Sequence, residues 1–89
     1  MRNEYKSGLE YDYEVKIYRD LLQMNGQFGI KEVYELAFKY CPEDFPETRK
    51  KEIGLEVLDF GREIDMIRCV DYDDWRFVSV LTLEDCITR

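Results

Sequence analysis

With 89 residues, 45% of them hydrophobic and 15% aromatic, the chain carries enough apolar surface for one folded domain without staples, which argues against disorder and leaves no room for a second core. Acidic side chains outnumber basic ones by 20 to 13, for a net charge of −7, so any polyanion meets a repulsive background. Histidine is absent, which removes the commonest metal ligand and the commonest general acid-base group.

Cys41, Cys69 and Cys86 form an odd and widely spaced set that matches neither a disulfide framework nor a zinc knuckle, so they read as free thiols. No Gly-rich phosphate loop and no activated Ser or Cys arrangement is visible. Neither catalysis, a metal nor a small-molecule cofactor is therefore expected. No apolar run approaches the ~20 residues of a membrane span, and residues 1–6 lack a signal-peptide stretch, which points to the cytoplasm.

Residues 1–8 are polar and read as a loosely held arm of a single domain spanning 1–89. Helix one is expected over 10–24, where Val15, Tyr18, Leu21 and Leu22 recur at helical spacing, and Asn25-Gly26 is expected to end it. Residues 27–30, with Phe28, form a candidate short first strand. Helix two spans 30–40 with Ile30, Val33, Leu36 and Ala37 inward; the small Ala37 permits close approach of a crossing helix. The loop Cys41-Pro42-Glu43-Asp44-Phe45-Pro46 follows. Helix three is expected over 46–63, with Pro46 at its first position, Asp44 as a capping residue, and Ile53, Val57, Phe60 and Ile64 with Leu58 on its buried side.

Residues 65–85 read as a β-hairpin, because two runs rich in Val, Ile, Phe and Trp flank the polar tip Asp71-Tyr72-Asp73-Asp74. The expected architecture is thus α+β: a winged helix-turn-helix of three helices and a C-terminal hairpin. In that layout the N-terminal part of helix three enters the major groove, and Thr48, Arg49, Lys50 and Lys51 stand there, with Arg76 placed for adjacent backbone contact. This makes double-stranded DNA one expected partner. The same triplet also reads as a solvated helix face beside Glu47 and Glu52.

Asp71, Asp74, Arg76, Val78, Val80, Leu81 and Thr82 follow the order in which the wing of MarR-type transcriptional regulators places acidic residues, an arginine and a strand ending in Leu-Thr; the hairpin resembles that wing. The resemblance covers about residues 28–85 and implies a winged fold and transcription regulation. Trp75 stands where that family often has a second basic residue, and the long terminal helices through which those regulators dimerise have no counterpart.

The competing expectation is an acidic protein-interaction module, such as a small inhibitor, adaptor or nucleic-acid mimic, binding a basic protein partner. Asp71, Tyr72, Asp73, Asp74, Trp75 and Phe77 would form its contact surface, an aromatic patch with an acidic rim. Apolar residues fall on both faces of the strand 75–81, so one face is either exposed or covered by the segment carrying Leu9, Tyr11 and Tyr13.

Overall fold

The computed structural model describes residues 8–82. Three helices, α1 (Asp12–Leu22), α2 (Ile30–Tyr40) and α3 (Glu47–Glu63), precede an antiparallel hairpin of β1 (Ile67–Asp71) and β2 (Arg76–Ser79), giving an α+β fold in the expected element order. Most of the arm expected at 1–8, the end of the hairpin at 83–85 and Cys86 lie outside the described residues.

Helix α1 starts where Glu14 reaches back to accept the N–H groups of Glu10 (3.0 Å) and Tyr11 (3.3 Å), satisfying donors that the first turn leaves free. It ends at Leu22, earlier than the Asn25-Gly26 pair suggests, because its last turn tightens and Gln23 N–H is shared between the carbonyls of Arg19 and Asp20. Gly26, at φ +79°, turns the connecting segment instead. The buried line is Glu14, Ile17 and Leu21; Val15, Tyr18 and Leu22 mark its half-buried edges.

Helix α2 has the bounds that its pattern predicts. Val33 and Ala37 face Gly54 of α3, where an added methyl would sit 3.2 Å from Ala37 Cβ and 3.3 Å from the Val33 carbonyl, so two small residues rather than one set the crossing distance. Pro46 lies just outside α3 with extended backbone, and Asp44 supplies no cap, correcting both expectations for the start of that helix. Ile64 is 46% exposed instead of buried; Gly61 takes the inward position and receives the Ile67 side chain from β1.

Asp65, at φ +65°, closes α3 with Asp65 N–H on the Arg62 carbonyl and Met66 N–H on the Gly61 carbonyl, a Schellman arrangement that feeds the chain straight into β1. Ile67, Arg68 and Cys69 pair with Ser79, Val78 and Phe77, and a bulge at Val70 shifts the register so that Asp71 faces Arg76. The candidate first strand contracts to a single residue: Phe28 and Phe77 exchange both backbone hydrogen bonds, at 2.9 and 2.8 Å, before Gly29 must turn into α2.

Strand β2 stops at Ser79, short of Leu81, because the Ser79 hydroxyl accepts Leu81 N–H and Thr82 Oγ1 donates to the Met24 carbonyl, drawing the chain back toward the end of α1. Tyr11 does not cover the hairpin. It stacks on Tyr13 (centroids 5.2 Å apart), and Tyr13 meets Phe45 edge-on in the α2–α3 connection. The core lies among all these elements, with Ile17, Leu21, Phe28, Val33, Ile53, Val57, Ile67 and Phe77 fully enclosed.

Candidate interaction surface

Successive residues of a helix project about 100° apart, so Arg49, Lys50 and Lys51 cannot share a direction. The Arg49 guanidinium pairs with Glu52 (3.3 Å) and Glu56 (3.6 Å) on its own helix, and the Glu52 hydrogen bond is the main cause of its pKa standing above the ordinary arginine value. Lys50 Nζ lies 5.4 Å from the centre of the Phe38 ring and Lys51 Nζ 5.3 Å from that of Tyr34, both rings belonging to α2. Thr48 is exposed, as are Glu47, Glu52, Glu56, Asp59 and Glu63 along the same helix, so carboxylates dominate the outer surface of α3.

Arg76, half-buried, is also engaged within the chain. Its Nη2 donates to the Gln27 carbonyl at 3.3 Å and Nη1 rests against Gly29, beside the start of α2. There Glu32 accepts Gly29 N–H at 2.8 Å, the main reason its carboxyl sits below the ordinary value, with the Arg76 charge adding to the effect.

The hairpin tip is arranged differently. Asp71 Oδ1 accepts the N–H groups of Asp73 (3.0 Å) and Asp74 (3.2 Å), an Asx turn that commits Asp71 to the loop and leaves the Asp73 and Asp74 carboxylates exposed. Tyr72 is 69% and Trp75 48% exposed. Their rings meet edge-on at 6.4 Å, and Trp75 leans on Phe77 (6.2 Å) with the Arg62 guanidinium 6.0 Å from its centre. Phe77 is fully buried, so it supports the indole from beneath and has no surface to offer a partner. Trp75 holds φ +53°, a left-handed conformation that a bulky side chain adopts at a cost of roughly 1–3 kcal/mol.

Beside the tip runs a shallow aromatic groove. Lys31, Tyr34, Glu35, Phe38 and Lys51 border a hollow of about 560 Å³, and Tyr34 also borders a second of about 340 Å³ that reaches Leu55, Arg62 and Trp75. Tyr34 and Phe38 carry no motif. Their signal in the sequence is their spacing of one helical turn, on the flank of the Val33–Ala37 stripe.

Cys41 and Cys69 are free; Cys41 packs in the core, and that burial raises its thiol pKa. Among the described residues no group of carboxylates and thiols is placed to hold a metal ion, and no helix is long and apolar enough to cross a membrane. No protein-family model, no characterised protein and no solved structure matches the chain.

Proposed function

We propose that the chain is a winged-helix protein-interaction module whose hairpin tip engages a basic segment of a protein partner. The observation that carries this reading is Trp75: half exposed and in a backbone conformation that glycine or asparagine would adopt at lower cost, it is poorly explained by folding alone. Tyr72, Asp73 and Asp74 surround it with the aromatic area and negative charge that an arginine- or lysine-rich segment needs. A helix pair, a single-residue β-bridge and a hairpin leaning on the second helix of the pair support the winged-helix assignment. We place the module in the cytoplasm, where Cys41 and Cys69 would persist as thiols.

The test is affinity capture from cell extract with the wild-type chain and with Asp73→Lys/Asp74→Lys, leaving Asp71 intact because it closes the turn. Recovery of a stoichiometric basic partner by the first and not the second is the expected result. Equal recovery by both would remove the tip from the interface.

The regulatory reading, with Thr48, Arg49, Lys50, Lys51 and Arg76 on double-stranded DNA, retains one supporting observation: the element order and Phe28 bridge suit a DNA-binding winged helix. Against it stand the engagement of Arg49, Lys50 and Arg76 within the chain and the carboxylates along α3. Titration with random duplex DNA at two salt concentrations decides between the readings, since phosphate contacts impose a steep salt dependence.

A further inference from the structure

The tip and the groove are chemical complements on one molecule. The tip offers Asp73 and Asp74, two exposed carboxylates; the groove offers Lys31 and Lys51 around the rings of Tyr34 and Phe38. Among the described residues none of these four charged groups forms an ion pair within 4.0 Å. Lys51 Nζ rests 5.3 Å from the centre of the Tyr34 ring yet its side chain stays exposed, as does that of Lys31, so in a chain of net charge −7 both can meet the carboxylates of an acidic aromatic loop.

Position adds to chemistry. Trp75 belongs to the tip and borders the second hollow, and Tyr34 borders both that hollow and the groove, so the two surfaces lie close together. Neighbouring complementary patches suit a two-fold axis: when the tip of one copy covers the groove of another, the rotation brings the second tip onto the first groove, and the contact closes as a pair without growing into a chain. Tyr72 and Trp75 would then be buried against Tyr34 and Phe38, with the lysine–aspartate pairs at the rim.

We propose that the chain forms a two-fold homodimer in which the acidic hairpin tip of each copy docks into the lysine-bordered Tyr34–Phe38 groove of the other. Glu35 borders the groove and Asp59 the second hollow beside it, so the docked tip must set Asp73 and Asp74 over Lys31 and Lys51 and away from those two carboxylates. The inference goes beyond the basic-partner reading and does not rest on it. Where both hold, self-association hides the tip, and a basic partner must compete with the second copy.

Sedimentation velocity over a wide range of protein concentration, at low and high salt, reads the mass directly. The wild-type chain is expected to be a dimer that dissociates as salt rises. Reversing either surface alone, by Asp73→Lys/Asp74→Lys or by Lys31→Glu/Lys51→Glu, sets like charges against each other and should weaken the dimer at least about tenfold. The decisive step is to mix the two variants. A positive tip then meets a negative groove while a negative tip meets a positive one, so a heterodimer of one copy of each should reappear, and its appearance also shows that both variants are folded.

A wild-type chain that stays monomeric throughout would overturn the proposal, as would a dimer indifferent to both reversals or a mixture that fails to associate. None of these outcomes decides whether a basic partner binds, because no such partner is present in the measurement.

Discussion

The start of α3 and the tip of the hairpin are the two most charged stretches of the chain, and they use their charge in opposite ways. At the start of α3, Arg49 is tied to Glu52 and Glu56 of its own helix and the half-buried Lys50 lies over Phe38 of α2, so two of the three cations are engaged within the chain and only Lys51, beside Tyr34, stays exposed. At the tip, the Asp73 and Asp74 carboxylates face solvent and the Trp75 ring is held half exposed on a strained backbone. A run of like charges in a sequence is therefore not yet a charged patch: what each side chain meets in space decides whether a partner can use it.

The division between structural and available residues is sharpest at the start of β2, where Phe77 in the strand and Trp75 just before it are two positions apart. Phe77→Ala empties a fully enclosed site and removes the ring that packs against Phe28, so it should cost about 4 kcal/mol of stability in urea unfolding. If Phe77→Ala proved as mild as a surface change, the hairpin would not be part of the core. Gly61→Ala comes next. Its methyl would sit 2.5 Å from Ile67 Cδ1, and because Ile67 is itself enclosed the overpacking should cost about 2 kcal/mol, outweighing the helix propensity that alanine adds.

These residues also mark how far the sequence could be read. The bounds of α2 were legible from its 3.6-residue periodicity, and the position of the hairpin from two runs rich in Val, Ile, Phe and Trp on either side of a polar tip. Ile17 escaped because Val15, Tyr18 and Leu22 define a plausible stripe beside the one that is buried. Gly54 and Gly61 look like helix weaknesses when only propensity is considered; their value appears once Ala37 and Ile67 are brought against them. In the candidate surface, Tyr72, Asp73, Asp74 and Trp75 were legible as a polar, aromatic loop. The groove was not, since it joins flanks of α2 and α3 while the hollow beside it adds Phe77 of β2, and no local pattern reports which flanks of separate elements converge.

The strain at Trp75 can be separated from the loss of its ring. Trp75→Ala and Trp75→Gly both delete the contacts with Tyr72, Phe77 and Arg62, but only glycine relieves the left-handed backbone. The glycine variant should therefore be the more stable of the two by about 1 kcal/mol, measured as the difference in urea midpoints at equal slope. Equal stabilities would mean that the loop relaxes in solution and that Trp75 is not held against its preference. Both variants should lose association if the indole is the anchor of the interface.

The smallest effect lies at the start of α2, where Glu32 accepts the Gly29 N–H with the Arg76 charge nearby. The Gly29 N–H bond, aided by the Arg76 charge, keeps the Glu32 carboxyl below its unfolded value, so the folded chain binds this proton less readily than the unfolded one. The resulting stabilisation is complete above the ordinary glutamate value of about 4.3 and fades as pH falls through the lowered one. Glu32→Gln removes that dependence while leaving an acceptor for Gly29 N–H. The stability difference between wild type and Glu32→Gln should thus shrink as pH falls below about 4.3, from a starting value of no more than about 1 kcal/mol because the carboxylate is only partly buried. A difference that grew on acidification would mean that the carboxyl is held in its protonated form and that neither the Gly29 N–H nor the Arg76 charge favours its anion in the folded chain.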